Sequence, residues 1–99
     1  MTEGPLYAIR RTKSFQQDVK RLKKQGADLH LLEAVVDLLS RSDDPLPPRY
    51  RDHRLMGNHA GFRECHITNT WILKYIKDGS TLLLVLSRTG THRQVLNIE

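Results

Sequence analysis

A proline-rich segment near the middle of the chain separates two stretches with different hydrophobic patterns. Residues 42–48 read Ser-Asp-Asp-Pro-Leu-Pro-Pro. Proline lacks a backbone N–H and its ring clashes with the preceding helical turn, so this segment ends any helix before it. Helical periodicity lies only before the prolines, whereas most of the β-type runs follow them. The segment therefore favours an α+β fold in which a pair of helices precedes the main strands.

Two amphipathic helices are predicted before the prolines. The first covers residues 14–25, with Ser14 as the expected N-cap and one narrow apolar stripe. Gly26 supplies the left-handed residue that commonly ends a helix. The second covers residues 29–40, with Asp28 as the expected N-cap and a wider stripe. Because only about three residues separate the helices, they should form an antiparallel hairpin.

The other apolar runs predict four strands. Residues 81–88 are almost all apolar, which predicts an interior strand buried on both faces. Asp78-Gly79 before it predicts a hairpin turn. Residues 50–60 follow neither period and predict an irregular connection, with a short extended piece around Leu55. The remaining strands are predicted at residues 6–11, 62–67 and 71–76.

The predicted order is β-α-α-β-β-β. It describes a small, twisted, mainly antiparallel sheet that a helix hairpin covers on one face. Ninety-nine residues support one hydrophobic core, so a single domain spanning residues 1–99 is expected.

Charge and cysteine content limit the classes of function. The formal net charge is +5 at pH 7, which favours a polyanion or an acidic protein as partner. The single cysteine, Cys65, excludes an internal disulfide and indicates a reducing compartment. No CxxC or HExxH motif predicts a zinc site, and no apolar run has the length of a signal core or a membrane span. A cytoplasmic protein without metal or cofactor is expected.

Most of the histidines are concentrated in one segment. Arg49–His66 contains three of the five histidines, four arginines and two acidic residues, and His92 follows the last apolar strand. If the fold brings His92 beside this segment, one histidine can act as base and another as acid at neutral pH. Arginines can neutralise the charge that develops at a reacting phosphorus. This combination meets the requirements of RNA cleavage.

Alternation along the predicted strand 62–67 orders the residues of this segment. Glu64 and His66 share one face and form an acid–base or orienting pair, while Cys65 lies on the opposite face and is expected to pack. His53 is predicted in a loop beside the sheet, where functional residues often lie. His59, in a glycine-flanked loop, is predicted to be dispensable.

Three lysines near the end of the first predicted helix have two interpretations. Lys20, Lys23 and Lys24 suit a solvated helix terminus, where the helix dipole favours cations, or a surface that contacts a phosphate backbone. The function of the whole chain also has two interpretations. A non-catalytic module that binds nucleic acid through phosphate contacts is the alternative to an enzyme.

Four spaced motifs are similar to those of a known family. They are Leu46-Pro-Pro-Arg-Tyr-Arg-Asp-His-Arg-Leu55, Gly61-Phe-Arg-Glu-Cys-His66, Trp71-Ile-Leu-Lys-Tyr75 and Arg88-Thr-Gly-Thr-His92. With these motifs and its helix lengths, the chain resembles the YafQ branch of the RelE/ParE superfamily, toxins of type II toxin–antitoxin modules. The resemblance covers nearly the whole chain and implies the RelE/ParE-type fold.

The resemblance implies an mRNA interferase that cuts messages in the ribosomal A site without a metal. In that reaction the ribose 2′-OH attacks the adjacent phosphate and the 5′-oxygen leaves. His53 is expected as base and His92 as acid, although the two roles are interchangeable. His66, oriented by Glu64, would stabilise phosphate charge. The residues expected to assist at the phosphate or to bind RNA are Arg51, Arg54, Arg63, Arg88, Lys20, Lys23, Lys24 and Leu96.

The resemblance also implies partners. These are the ribosome with its mRNA, and a cognate antitoxin that is acidic and folds in part on binding. DNA would be contacted only through the antitoxin complex, and no membrane is involved. Thr70 and Leu96 depart from the family pattern, which commonly has an acid and an aromatic residue there. A gyrase-inhibiting toxin of the ParE branch is a further alternative, although it has no need of these histidines.

Overall fold

A computed structural model of the chain describes residues 6–96. These residues form five strands, three α-helices and two single-turn 3-10 helices. In chain order the elements are β1 (Ala8–Arg11), α1 (Lys13–Lys24), α2 (Leu29–Arg41), a 3-10 turn (Pro48–Tyr50), β2 (His53–Arg54), a second 3-10 turn (Gly57–His59), β3 (Arg63–Thr68), β4 (Trp71–Asp78), β5 (Leu83–Gly90) and α3 (His92–Leu96).

The strands form one mixed sheet in the order β1-β5-β4-β3-β2. β1 runs parallel to β5, and the other neighbours are antiparallel. The predicted α+β architecture, with a helix hairpin on a mainly antiparallel sheet, is confirmed. Within residues 6–96, no helix has both the length and the apolar character needed to cross a membrane.

The sequence prediction gave the edge strand β2 only as a short extended piece around Leu55, and it did not include the short helix α3. β2 has only two residues, too few to show an alternating pattern. It pairs with β3 so that His53 lies opposite Glu64. The prediction that His53 belongs to a loop is therefore wrong, because this residue is held in the ladder of the sheet.

The helix boundaries agree closely with the predicted ones, except for one cap. Thr12, not Ser14, caps α1, because its hydroxyl oxygen accepts the N–H of Phe15 at 3.0 Å. Asp28 caps α2 as predicted, accepting the His30 N–H at 3.1 Å. Gly26 follows α1 with a φ of 81°, as expected for a left-handed helix stop.

The hairpin between β4 and β5 forms with a different turn from the predicted one. Asp78 pairs with Leu83, which leaves four residues in the loop, and the positive φ of 53° falls at Leu82 rather than at Gly79. The Asp78 carboxylate accepts the N–H and the hydroxyl of Ser80 at 3.0 and 2.7 Å. This local side-chain turn sets the direction of the chain.

β5 is an interior strand, as predicted, but it is not buried on both faces. Leu84 and Leu86 are fully buried beneath the helix hairpin, whereas Leu83 and Val85 are only partly buried. Among residues 6–96, the second face of the sheet is covered by the five residues of α3 and the neighbouring loop, so its core is small. That second core consists of Ile72, Val95 and Leu96 with Leu55 packed against it.

Candidate active site

Three histidines meet at one buried carboxylate. The Nε2 atoms of His53, His66 and His92 lie 3.2, 3.3 and 2.9 Å from Oε2 of Glu64. Glu64 is only 3% exposed, and the rings of His66 and His92 are 5.3 Å apart between centroids. The structure therefore brings together all four residues that were predicted to be catalytic.

The register of the sheet explains how His53 and His66 come to lie beside Glu64. Glu64 and His66 are two residues apart on β3 and so share one face of the sheet. His53 is the direct cross-strand partner of Glu64, so the edge strand β2 delivers its ring to the same face.

His92 comes from the segment after β5, where it is the first residue of α3, and a capping box fixes the start of this helix. The Thr91 hydroxyl accepts the Gln94 N–H at 3.2 Å, and the Gln94 side chain accepts the Thr91 N–H at 3.0 Å. This reciprocal capping box starts α3 immediately before His92. A Cβ at Gly90, just upstream, would lie 2.6 Å from the Gln94 side-chain oxygen and would displace the group that caps α3. The φ of 148° at Gly90 is also one that side chains rarely adopt.

The hydrogen-bond partners assign protons to the rings. His66 Nδ1 faces the Arg51 guanidinium at 3.4 Å, and a guanidinium only donates, so the His66 proton lies on Nε2 toward Glu64. Burial and the Arg51 charge lower the pKa of His66, and the Glu64 charge opposes them only in part. His66 is therefore neutral at neutral pH.

His53 and His92 differ in the partners of their second nitrogens. Nδ1 of His53 lies 3.1 Å from the carbonyl oxygen of Arg54, so both ring nitrogens face acceptors and are satisfied together only in the imidazolium form. His92 donates from Nε2 to Glu64, and within residues 6–96 no hydrogen bond reaches its Nδ1. One ring is thus arranged to carry a proton, and the other has a nitrogen lone pair available.

Glu64 has one oxygen that is not used. Oε1 is buried and has no hydrogen-bond partner among the described residues. A buried acceptor without a partner is costly, and such atoms are concentrated at functional sites. Glu64 thus holds the three histidines through Oε2 while its Oε1 stays buried without a partner in residues 6–96.

A basic groove of about 370 Å³ adjoins His66. Arg51, in the left-handed conformation with a φ of 48°, lines the groove and donates to the Asn69 side-chain oxygen at 3.3 Å. The Arg49 guanidinium, which also lines it, stacks over the Tyr50 ring at 4.8 Å. Guanidinium planes and amide groups are suited to phosphates and base edges. The groove therefore extends the histidine cluster along the surface.

Two of the arginines predicted to assist at the phosphate are held elsewhere. Arg63 binds Asp52 with both Nε and Nη2, at 3.2 and 3.0 Å. Arg88 binds Asp18 of α1 at 2.7 Å. Neither guanidinium contacts the histidine cluster, because each is oriented by a carboxylate whose position the sequence pattern did not indicate. Arg51 is the arginine that reaches the cluster.

The prediction for Leu96 also needs correction. Its side chain packs in the second core and is only 9% exposed, so it is not displayed for contact with a base. By contrast, Arg54, Lys20, Lys23 and Lys24 are exposed. Their contact with RNA stays a prediction.

Sequence reasoning missed a buried lysine next to the site. Lys74, in the middle of β4, is 9% exposed and its Nζ lies 2.9 Å from Nδ1 of His59 and 4.2 Å from the centre of the Phe62 ring. Burial, with a smaller contribution from Arg88, lowers the pKa of Lys74. A lysine inside an otherwise apolar run was the available signal. His59, predicted to be dispensable, is its partner.

The cluster also has the donor set of a transition-metal site. One ligand atom from each of His53, Glu64 and His66 lies within 4.8 Å of the others. Imidazole with carboxylate suits zinc or copper. Cys65 adds no ligand to this set. It is fully buried among core residues, and burial raises the pKa of its thiol, in agreement with the predicted packing role.

Comparison with known proteins gives consistent results. Residues 7–97 match the family model described as the bacterial toxin of type II toxin–antitoxin system, YafQ. The mRNA interferase toxin YafQ of Escherichia coli is 38% identical over 78 residues, covering 79% of this chain and 83% of the relative. The putative toxin YafQ of Haemophilus influenzae is 31% identical over 95% of this chain and 96% of its own length.

Solved structures extend the likeness to three dimensions. The Escherichia coli DinJ–YafQ toxin–antitoxin complex contains a chain with a TM-score of 0.83 and 34% identity, covering 91% of this chain and 97% of that one. A metal-bound toxin from Helicobacter pylori has a TM-score of 0.78 and 38% identity, covering 90% and 98%.

Proposed function

The chain belongs to the YafQ family of bacterial toxins from type II toxin–antitoxin systems, and we propose that its histidine–glutamate cluster is the centre that cleaves mRNA. As a member it is an mRNA interferase, an endoribonuclease toxin with a cognate antitoxin. The observation that carries the assignment of the centre is the convergence of three histidine Nε2 atoms on Glu64 within 3.3 Å.

The reaction is an attack of the ribose 2′-oxygen on the adjacent phosphorus. The bond from the 2′-oxygen to phosphorus forms, and the bond from phosphorus to the 5′-oxygen breaks. A base takes the 2′-OH proton, and an acid protonates the departing 5′-oxygen. The base and the acid must lie on opposite sides of one phosphate. Three imidazoles arranged around Glu64 allow this.

The hydrogen-bond pattern supports exchanging the two roles expected from the resemblance. His92 has the available Nδ1 lone pair and is assigned as base. His53, with both nitrogens facing acceptors, is assigned as acid. Arg51 donates to the phosphate oxygens as charge develops there. His66, whose single N–H bonds Glu64, faces the Arg51 guanidinium with its Nδ1 lone pair and orients it. Glu64 keeps the three rings oriented.

No metal is needed in this scheme. Side chains supply the base, the acid and the positive charge that a metal would otherwise provide. A cation bound by His53, Glu64 and His66 would instead occupy the nitrogens that carry the chemistry. Metal-independent cleavage is therefore part of the proposal.

The positive surface suits a substrate presented by the ribosome. The net charge of +5 and the exposed Lys20, Lys23 and Lys24 on α1 would contact phosphates of ribosomal RNA while the cluster reaches mRNA in the A site. An acidic antitoxin would compete for the same charges. Cleavage would then take place in the cytoplasm, where ribosomes translate.

Mapping of mRNA 5′ ends on translating ribosomes tests the proposal. Wild type should create new ends within A-site codons, and His92→Ala should create none while retaining most of its affinity for RNA. Arg51→Ala should weaken both binding and cleavage, because it removes a phosphate contact. His30→Ala is the matched control, since His30 is an exposed histidine on α2 whose ring pairs with Asp28 at 3.3 Å.

Each outcome discriminates between the functions. Binding of RNA without cleavage by folded wild type would refute the nuclease centre and favour the non-catalytic module. Equal cleavage by wild type and His92→Ala would remove His92 from the chemistry.

A further inference from the structure

His59 connects two parts of the structure that are distant in sequence. It ends the 3-10 turn Gly57–His59, and its ring is half-buried. Its Nε2 lies 3.1 Å from the carbonyl oxygen of Leu96, the last described residue of α3. Its Nδ1 lies 2.9 Å from Nζ of Lys74 in β4. The ring thus bridges the centre of the sheet and the end of the helix that carries His92.

The chemistry of the two partners fixes one form of the ring. A carbonyl oxygen only accepts, so Nε2 of His59 carries the hydrogen. A lysine ammonium only donates, so Nδ1 presents its lone pair. His59 is therefore neutral and in a single tautomer. The hydrogen bonds run in one direction, from Lys74 through His59 to Leu96.

Lys74 is held as the first member of this chain. Its side chain is nearly buried, and its ammonium lies over the Phe62 ring at 4.2 Å, where a cation is stabilised by the aromatic face. The ammonium has a directed bond to His59 and little access to water. A buried lysine with one specific partner holds that partner in place more firmly than a surface lysine does, because it has few alternative hydrogen bonds.

α3 depends on such contacts for its position. Five residues are too few for an isolated helix to be stable. The capping box of Thr91 and Gln94 fixes its first turn, and the bond from His59 fixes its carbonyl end. His92 is the first residue of this helix, so a shift of α3 changes the contact of 2.9 Å between His92 and Glu64.

We propose that His59 and Lys74 are positioning residues that anchor the carbonyl end of α3 and thereby hold His92 against Glu64. The proposal rests on the proposed role of His92 in RNA cleavage. Neither residue touches the substrate in this scheme. Their effect passes through the helix to the imidazole of His92.

Paired substitutions separate positioning from simple packing. Glutamine can donate to Leu96 and accept from Lys74, so H59Q should retain kcat to within about threefold. H59L has neither group, and a small displacement of a reacting group can cost up to about 100-fold. H59L and Lys74→Met should therefore lower kcat about 10- to 100-fold with KM nearly unchanged. His30→Leu should change neither constant.

Histidine ring NMR gives a readout that does not depend on cleavage. Long-range ¹H–¹⁵N correlation should identify His59 as the Nε2–H tautomer at neutral pH. The ¹⁵N signals of His92 should shift in H59L and Lys74→Met but stay close to wild type in H59Q. Urea unfolding of each variant checks folding, and H59Q with Lys74→Met still decides the question if H59L does not fold.

Three results would overturn the positioning role. They are an Nδ1–H tautomer for His59, His92 signals that do not move in H59L and Lys74→Met, or equal kcat in H59L and H59Q. If folded wild type cuts no ribosome-bound mRNA, the proposed nuclease function fails, while the NMR result still judges the anchor separately.

Discussion

Replacing Glu64 with glutamine should abolish most cleavage while leaving the free energy of unfolding nearly unchanged. The substitution keeps the shape of the side chain and removes its charge. With its oxygen at the Oε2 position, the neutral amide is a weaker acceptor for the three imidazole N–H groups than the carboxylate. The amide nitrogen would then lie at the Oε1 position as a buried donor without a partner among the described residues. At least one of the three histidines then loses its orientation.

The expected magnitudes follow from the contacts of each oxygen. The side chains of His53 and His92 are 52% and 42% exposed, so the contact of each with Glu64 contributes about 1 kcal/mol or less to stability. Against this, burying a charged carboxylate with an unpartnered Oε1 costs about 1–3 kcal/mol, and a neutral amide costs less to bury there. These opposing contributions nearly cancel, so the change in unfolding free energy should lie within about 1 kcal/mol of zero. Cleavage should fall about 100- to 10,000-fold, the usual effect of losing positioned acid–base groups.

Urea unfolding and a single-turnover assay on ribosome-bound mRNA measure the two quantities. Glu33→Gln serves as control, because Glu33 is an exposed acid on α2 and should affect neither measurement. A loss of more than about 2 kcal/mol in Glu64→Gln would show that the carboxylate mainly stabilises the fold. Unchanged cleavage would refute its role in orienting the histidines.

Three further predictions concern other groups. Asp18→Asn should lower the free energy of unfolding by about 3 kcal/mol, because the 2%-exposed carboxylate binds two arginines. Asp37→Asn, in an exposed pair, should lower it by less than about 1 kcal/mol, and urea midpoints compare the two variants. Zinc or copper ions should inhibit cleavage reversibly, and chelation should restore it; stimulation by either metal would contradict metal-independent chemistry. Since burial lowers the pKa of folded His66, the unfolded chain binds its proton first as pH falls below about 6.5, and stability should decline there more in wild type than in His66→Asn.

Features carried by long periodic segments were predictable. α2, with a repeating apolar stripe and a capping aspartate, begins where the sequence indicates. Alternation along β3 correctly separated Glu64 and His66 from Cys65. These predictions succeeded because each depends on neighbours along the chain. The prediction that His53, His66 and His92 act together depended instead on the family resemblance.

Features that depend on long-range pairing were not predictable. β2 is a strand only because β3 lies beside it, and nothing in two residues indicates this. The carboxylates of Asp18 and Asp52 bind Arg88 and Arg63, but these partners are distant in sequence and no pattern connects them. Sequence reasoning therefore identified the chemical groups of the site more reliably than their ion pairs.

The parallel pairing of β1 with β5 also determines how late during synthesis the sheet can form. Residues 8–11 leave the ribosome long before their partners, residues 83–86, which lie 75 positions later in the chain. Synthesis proceeds from the N-terminus, and contacts this distant in sequence form slowly. The helix with His92 follows β5 and emerges later still. A nascent chain therefore cannot assemble the cluster before His92 has left the ribosome, 28 residues after Glu64.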